Sequence, residues 1–227
     1  MWPLPPIRDE YVAVSINPTY VTCAWLKTSK KYPLILNAYN HIPIDTPSSI
    51  SIEHAINKFV SRHNVQHSSL GIAIAAPDIH EQLIRLFHAT PSVKDFTSPT
   101  LSKMLWDYRY LHALEDNQHL FYVCGITRPM VFTYQLLSYK SKLHLTSLTS
   151  SYMALLYAYK TLFGPAFRQS QMALDMIRTD YKIENAISID SIARLLHIPA
   201  HVSLDVSHEK MPLLTVIGLY NQERNNP

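Results

Sequence analysis

Histidines are the residues whose number and spacing come nearest to a chemical site. The chain has 12 of them, and His63 and His67 are four residues apart near the end of a predicted helix that also carries His54. A zinc site needs three or four convergent nitrogen or sulfur ligands. No HExxH motif and no closely spaced cysteine pair supplies them. Exposed or singly hydrogen-bonded histidines are the simpler interpretation, so we predict no metal site.

The sequence also has no motif that would form a catalytic nucleophile or an acid–base pair. There is no GxSxG motif to shape a serine nucleophile. Cys124 precedes Gly125 inside an apolar, strand-like run, where the pKa of a thiol rises and its reactivity falls. Asp175, Asp180 and Asp190 are too widely spaced to form a carboxylate pair. The sequence therefore predicts no catalytic residues and no enzyme activity.

Glycine is scarce, and this bears on nucleotide binding. The four glycines are Gly71, Gly125, Gly164 and Gly218, and no two lie within ten residues of each other. Loops that cradle phosphate need glycine, because the backbone must approach the anion closely and often takes positive φ. Neither GxGxxG nor GxxxxGK[ST] occurs. We predict no bound nucleotide and no other cofactor.

Composition favours a folded protein with a large core. The chain has 227 residues, of which 47% are hydrophobic and 16% charged, so a large core is possible. The net charge is +3 and the basic residues are scattered, which argues against a nucleic-acid-binding face. No apolar run approaches the roughly 20 residues of a membrane span, and the N-terminus has no secretory signal pattern. We expect a cytoplasmic protein with Cys23 and Cys124 buried and reduced, and a disulfide between them is the alternative.

The first half of the chain predicts a strand-rich start followed by a helix. Strands are expected over residues 11–16, 20–26 and 32–39. A helix follows with Ser51 as its N-cap and an apolar stripe that includes Phe59. The uninterrupted apolar run from Leu70 to Ala76 predicts a strand that is buried on both faces.

The middle of the chain predicts alternating helices and strands. The segment 79–87 suits a strand, although a helix is also compatible, and Ser98-Pro99 predicts the start of a helix with Leu101, Met104, Leu105 and Tyr108 on one face. The remaining elements are a strand at His119–Ile126, a helix from Arg128-Pro129 to about Lys142, a strand at Leu143–Leu148, and a helix from Ser150 or Ser151 to Phe163, which Gly164-Pro165 ends.

An aromatic group lies within the predicted helix that starts at Ser98. Trp106, Tyr108 and Tyr110 surround Arg109. On a helix, Trp106 and Tyr110 share a face while Tyr108 points elsewhere. The group is either ordinary amphipathic packing or an interface anchor, since Trp, Tyr and Arg are enriched at interaction hot spots.

The last quarter of the chain is less regular. Residues 171–179 suit a strand or a helix, and a short helix is predicted from Ser188 to His197. Val202 to Val206 predicts a strand, and Pro212 to Tyr220 an apolar element.

Together, the elements resemble the PilM family of type IV pilus assembly proteins, which have an actin-like fold. The resemblance rests on the opening segment Val12–Leu26, on Leu70–Ala76 with Pro77-Asp78, on Phe121–Phe132, on Leu145–Leu156, on Ser188–Pro199 and on Val216–Leu219. In actin-like ATPases the turn between the first two strands carries an Asp and a Gly that address metal and phosphate. Ser15 and Asn17 stand at those positions here, so the resemblance implies a hairpin that has lost its chemistry.

The resemblance implies an α/β, actin-like (RNase H-like) first lobe with an inserted α/β subdomain and a reduced second lobe. The chain is shorter than a PilM, and the shortage falls between about Phe163 and Val202. A single actin-like domain over residues 1–227 is expected, with an inserted subdomain at 78–148 and a remnant of the second lobe at 164–210. More distantly, the chain is similar to the cytoplasmic domain of the type II secretion protein GspL.

The family likeness also implies a function. The chain would be a cytoplasmic scaffold of a type IV pilus, competence or type II secretion assembly. A groove between the first subdomain and the insert would receive a short cytoplasmic peptide of a bitopic, PilN-like inner-membrane protein. The chain would then be peripheral to the inner membrane through that partner, with homo-oligomers possible and no nucleic acid bound.

A second interpretation concerns the segment from Ser188 to Ser203. It resembles the first helix and turn of a helix-turn-helix, which would make the protein a DNA-associated regulator. A basic or amide-rich recognition helix should follow. The residues that do follow, Leu204 to Lys210, are acidic and predicted to be poorly helical. An unrelated small enzyme is the third class.

Overall fold

A five-stranded sheet forms the centre of the molecule. The computed structural model describes residues 10–29, 34–44, 48–75, 79–96, 100–114, 117–164, 189–202, 204 and 206–225. β1 (Glu10–Asn17), β2 (Tyr20–Lys27) and β3 (Ile35–Pro43) form an antiparallel meander. β4 (Ser69–Ile74) pairs with β1 in parallel, and β8 (His144–Ser150) pairs with β4 in parallel, which gives the order β3-β2-β1-β4-β8.

The first predicted elements agree with the structure, with shifts at their ends. β3 begins and ends later than the predicted 32–39, and β4 is buried along its whole length as its apolar run predicted. α1 (Ser49–His63) begins before the predicted cap. Its N-cap is Ser48, whose side chain accepts a hydrogen bond from the Ser51 backbone, while the Ser51 hydroxyl bonds back to Ser48. Ser51 therefore completes a capping box from the third helical position.

A second, three-stranded antiparallel sheet lies between β4 and β8 in the chain. It contains β5 (Ile79–Leu86), β6 (Met104–Ala113) and β7 (His119–Thr127) in the order β5-β7-β6. The prediction of a helix from Ser98 is wrong, because Leu101–Lys103 form a 3-10 turn and the residues from Met104 to Ala113 form β6. From Trp106 to Tyr110, aromatic and charged residues alternate, which is the two-residue period of a β-strand. Pairing with β7 places the aromatic side chains on one face of the sheet and the charged ones on the other.

β8 belongs to the five-stranded sheet, although the predicted inserted subdomain at 78–148 ended within it. The chain leaves the first sheet after β4, builds the three-stranded sheet, and returns through α2 (Arg128–Lys140). The division into domains stays a prediction. The structure assigns the strands of the second sheet to Ile79–Thr127.

Helices cover both faces of the five-stranded sheet. On one face, α1 and α2 bury Ile56, Phe59, Tyr134 and Leu137 in a cluster with Val12 and other residues of β1. On the other face lie α3 (Ser151–Phe163), α4 (Ile189–Leu195) and α5 (Val206–Asn225). Alternate residues of β1 therefore point into two different cores, which is why Tyr11 to Val14 are all apolar.

The C-terminal helix differs from its prediction. The apolar element expected over Pro212–Tyr220 is the centre of α5, which begins at Val206, and the strand predicted over Val202–Val206 is wrong. Before this helix, His197 pairs with Ile35 of β3 in an isolated parallel bridge. Residues 165–188, which include the predicted element at 171–179 and much of the predicted second-lobe remnant, lie outside the described residues.

Candidate functional site

The two sheets meet at the carboxyl end of β4 and β8, and a buried tyrosine bridges them. Tyr122 of β7 is 1% exposed and its hydroxyl hydrogen-bonds to the Glu81 carboxylate of β5. The same hydroxyl is 2.7 Å from Ser150 Oγ, at the end of β8. Ser150 is also the N-cap of α3, since its side chain accepts a hydrogen bond from the Met153 backbone. One tyrosine thus ties the second sheet to a strand and a helix of the first.

The titratable groups at this junction are held in unreactive forms. Burial, followed by the Glu81 charge and hydrogen bond, raises the pKa of Tyr122 well above its usual range. Burial, with smaller effects of Asp107 and Glu81, raises the pKa of the Cys124 thiol to about 12. A neutral phenol and a protonated thiol are poor nucleophiles at neutral pH. At neutral pH the Tyr122 hydroxyl is therefore a neutral hydrogen-bonding group that holds the two sheets together.

A partly exposed apolar surface runs along the junction. We call it the junction groove, after the groove that the resemblance implies between the first subdomain and the insert. We define it by Cys124, Ile126, Met130 and Leu148, which are partly buried and pack on the core beneath α1 and α2. They come from β7, α2 and β8. Cys124 lies beside the backbone of Ser150, at the carboxyl end of β8. In open α/β sheets, ligands bind beyond the carboxyl ends of the strands.

The outer edge of β8 is already partly occupied. At its start, the Leu145 backbone donates to Ser138 Oγ of α2 at 3.0 Å. At its end, the Ser150 backbone hydrogen-bonds to the Cys124 sulfur. Between these points lie Thr146, Ser147, Leu148 and Thr149. Only a short stretch of this edge is therefore left for pairing with a further strand.

The β1–β2 turn, the predicted position of lost phosphate chemistry, is closed by its own hydrogen bonds. Asn17 Oδ1 accepts from the Thr19 backbone at 3.3 Å and from the Thr19 hydroxyl at 3.2 Å. Ser15 is 3% exposed and pairs with Ala73 and Thr22 on its two sides. The two side chains therefore serve an Asx turn and the sheet interior.

The histidines, cysteines and aspartates singled out in the sequence do not converge. His54 is exposed, and His63 packs on Phe59 with ring centroids 4.8 Å apart. Burial, and then the nearby Arg62, lower the pKa of His63. His67 instead lies near His144. Within the described residues, no group of three or more His, Cys, Asp or Glu side chains is placed to hold a metal. Cys23 and Cys124 are both free thiols, and Asp175, Asp180 and the Asp190 side chain lie outside the described part of the chain.

The aromatic group of β6 shares one face, which corrects the helical interpretation. Trp106 and Tyr108 pack on Phe96, with ring centroids 5.6 Å and 4.6 Å away, and Tyr110 packs on Phe121. Arg109 projects from the opposite face, with its guanidinium 3.2 Å from the Asp107 carboxylate. These rings are mainly the small core of the second sheet. Sequence reasoning missed Tyr122 and Glu81. Strand alternation through β7 would have placed Tyr122 on the other face of the sheet from these aromatic rings, the face that also carries Arg109.

The segment proposed as a helix-turn-helix leads into a buried helix. α5 follows α4, but Pro212 to Tyr220 are all buried in the core beside α3. A recognition helix must expose side chains to base edges. This packing counts against the DNA-binding interpretation. Among the described residues, no helix combines the length and apolar character that a bilayer crossing requires.

No protein-family model matches the chain, and no curated protein matches it in sequence. Its fold is similar to that of solved structures. One chain of the PilM–PilN type IV pilus biogenesis complex matches with a TM-score of 0.54 and 12% identity, over 69% of this chain and 51% of that one. The cytoplasmic domain of EpsL, an inner membrane component of the type II secretion system of Vibrio cholerae, matches with a TM-score of 0.41 and 11% identity, over 64% and 57%.

A Bacteroides thetaiotaomicron VPI-5482 protein with an actin-like ATPase fold and unknown function matches with a TM-score of 0.39 and 12% identity, over 72% of this chain and 61% of that one. The present chain spans about half the length of the chain it matches in the PilM–PilN complex. At these identities the likeness concerns fold alone. The chain is therefore a mixed α/β protein with two sheets, and the resemblance to pilus-assembly proteins is confirmed as a likeness of fold.

Proposed function

We propose that this protein is a non-enzymatic scaffold of a type IV pilus, competence or type II secretion assembly. The observation that carries the proposal is the fold shared with a chain of the PilM–PilN complex over 69% of the sequence. In this proposal the described part is an actin-like first lobe with an inserted subdomain, and the second lobe is reduced. The partner is a bitopic, PilN-like inner-membrane protein, and the scaffold is cytoplasmic and attached to the membrane through it.

The junction groove is where the partner's cytoplasmic peptide binds in this proposal. Its apolar lining from β7, α2 and β8 suits a short segment with aliphatic side chains. Tyr122, bonded to both Glu81 and Ser150, fixes the two walls relative to each other. A preformed groove lowers the ordering cost of binding, because only the peptide loses conformational freedom.

The proposed loss of nucleotide chemistry follows from the β1–β2 turn and the glycine content. Asn17 and Thr19 are bonded to each other, and Ser15 is buried. No glycine lies in the turn, so its backbone has little freedom to approach a phosphate. The protein would hold its partner without an ATP cycle.

The test is peptide binding by the full-length chain. Fluorescent peptides would cover the cytoplasmic N-terminal residues of single-pass membrane proteins encoded beside this gene. We expect one of them to bind with a Kd in the micromolar range. Ile126→Ser, in the groove, should weaken binding about tenfold, as expected for loss of one apolar anchor. Ile84→Ser is the matched control, since Ile84 is also partly buried but packs in the separate core of the second sheet.

Two further measurements separate the alternatives. ATP binding by calorimetry, above the level of a denatured control, would contradict the scaffold proposal. Salt-sensitive retention on duplex DNA would instead support the DNA-associated regulator. Binding of every peptide equally, or equal losses in the Ile126 and Ile84 variants, would show that the groove is not the docking site.

A further inference from the structure

α2 carries a row of exposed apolar side chains on its outer side. Phe132, Leu136 and Tyr139 are 66%, 44% and 80% exposed. Their spacing of four and three residues places them on one face of the helix, opposite the buried Tyr134 and Leu137. Single exposed apolar residues are ordinary, but an aligned row on one helix is a candidate binding surface.

α1 extends this surface, because its side chains contact the end of α2. Lys140 Nζ is 2.9 Å from Glu53 Oε2, and Ser141 Oγ donates to Asn57 Oδ1 at 2.7 Å. Ile50, which is 78% exposed, lies three residues before Glu53 and so on the same side of α1. We call the exposed sides of the two helices the α1–α2 face.

The α1–α2 face also carries the positive charge of the chain. The segments Ser49–His67 and Arg128–His144 are described throughout, and they contain five cations against the one carboxylate of Glu53, which leaves +4. The whole chain has a net charge of +3, so the remainder is slightly acidic. The cations are Lys58, Arg62, Arg128, Lys140 and Lys142. Lys140 is paired with Glu53, and the other four are exposed.

This combination of chemistry matches an anionic lipid surface. Interfacial helices place aromatic and aliphatic side chains in the boundary between headgroups and acyl chains, while Lys and Arg contact anionic headgroups. Lysine is depleted at the centre of protein–protein interfaces, whereas here it flanks the apolar row. We propose that the α1–α2 face binds anionic phospholipid membranes directly.

The proposal goes beyond attachment through a partner. In the proposed function a bitopic protein brings the scaffold to the membrane, and here the scaffold adds its own contact. The lipid surface would carry part of the binding energy and fix which side of the scaffold faces the bilayer. Because the test below contains no partner peptide, its outcome does not depend on whether the junction groove binds one.

The experiment is co-sedimentation of the full-length protein with vesicles. One set contains about one third phosphatidylglycerol in phosphatidylcholine, and the other contains phosphatidylcholine alone. We expect binding to the anionic vesicles to be at least about tenfold tighter, and to weaken strongly when the salt concentration is raised from about 0.1 M to 1 M. Equal binding to both vesicle types would overturn the proposal, and so would no binding.

Two sets of variants test which surface is used. Phe132→Ser combined with Tyr139→Ser should reduce anionic-vesicle binding about tenfold or more, and Lys58→Gln combined with Arg62→Gln should reduce it by a similar factor. Phe87→Ser is the matched control, because Phe87 is 77% exposed but follows β5 of the second sheet. Circular dichroism and thermal unfolding establish that each variant is folded.

Other occupants of the α1–α2 face give different results. If the protein self-associates in sedimentation velocity and the Phe132/Tyr139 variant is monomeric, the face joins two copies of the chain and the membrane proposal is overturned. If vesicle binding is unchanged in both sets of variants while capture of an acidic partner protein is lost, the face binds that protein instead.

Discussion

The two helical layers on the five-stranded sheet are built differently. α5 is buried from Pro212 to Tyr220, and it touches α3 so closely that a Cβ on Gly218 would lie 1.8 Å from the Ala154 carbonyl oxygen. On the opposite face, α2 buries Tyr134 and Leu137 but leaves Leu136 and Tyr139 exposed. One layer is closed on both sides, and the other is open on its outer side.

The difference indicates which helices contribute mainly to the free energy of unfolding and which offer a surface for binding. Most side chains of α3 and of the centre of α5 are buried, so substitutions at those buried positions should lower the free energy of unfolding. α1 and α2 cover the sheet with one side only, so substitutions on their outer side should change binding and leave stability intact. The junction groove begins at α2, on the open side of the molecule.

The largest expected difference comes from the same substitution in the two layers. Leu213 of α5 is fully buried, and Leu136 of α2 is 44% exposed. Leu213→Ala should lower the free energy of unfolding by about 3 kcal/mol, because it leaves a cavity in the core. Leu136→Ala should change it by less than about 0.5 kcal/mol. Urea denaturation measures both, and similar losses would mean that the layers do not differ as described.

Gly218→Ala tests the backbone contact between α3 and α5. Alanine favours a helix by about 1 kcal/mol over glycine, but overpacking costs about 3 kcal/mol, so a net loss of about 2 kcal/mol is expected. The clash is severe because the neighbouring atoms belong to the Ala154 backbone.

Gly125→Ala is the control for that substitution. Its new Cβ would meet side-chain ends, at 3.1 Å from Leu101 Cδ2 and 3.2 Å from Met104 Sδ, and these atoms are free to shift. We expect a change below about 1 kcal/mol in urea denaturation. If Gly218→Ala were as mild, the two helices would be packed less closely than the structure has them.

The smallest effect concerns the polar end of α5. The Glu223 carboxylate accepts a hydrogen bond from Thr146 Oγ1 at 2.7 Å, and burial raises its pKa above the ordinary 4.5. The unfolded chain therefore releases this proton at a lower pH than the folded chain, so the group lowers stability as the pH rises above about 4.5. Glu223→Gln removes the ionisation.

The measurement is denaturation of the wild type and Glu223→Gln at several pH values. The stability of the variant relative to the wild type should increase as the pH rises above about 4.5 and become constant once the pH has passed the raised pKa of the folded state. A difference that does not vary with pH would show that the carboxyl is not perturbed by its place between α5 and β8.

Local sequence pattern was sufficient to predict an element where tertiary contacts did not change its secondary structure. The run in β1 is apolar without alternation and a Pro18 turn follows it, so a buried strand and its end were predictable. α3 was predictable from its Ser150 cap and from Gly164. β6 failed because Leu101, Met104, Leu105 and Tyr108 have helical spacing by coincidence, while pairing with β7 satisfies the period of two from Trp106 to Tyr110.

The sequence predicted that a groove would lie between the first subdomain and the insert, but it did not predict which residues form it. A site between the first sheet and an insert followed from resemblance, but Tyr122, Glu81 and Ser150 are up to 69 positions apart in the chain. No spacing rule joins residues at that distance. The exposed row on α2 was hidden for a related reason, because apolar residues lie on both of its sides and only packing reveals which side is covered.

By itself, the sequence determined the buried strands, the turn after β1, the absence of glycine-rich phosphate loops, the start of α2 and both ends of α3. These depend on residues within a few positions of one another, whose conformational preferences act locally. Only the tertiary structure decided that β8 joins the first sheet, that the aromatic residues of β6 share a face, that α5 is buried and that α2 is open on its outer side. Those features depend on long-range pairing and burial, for which residues distant in the chain must first be brought together.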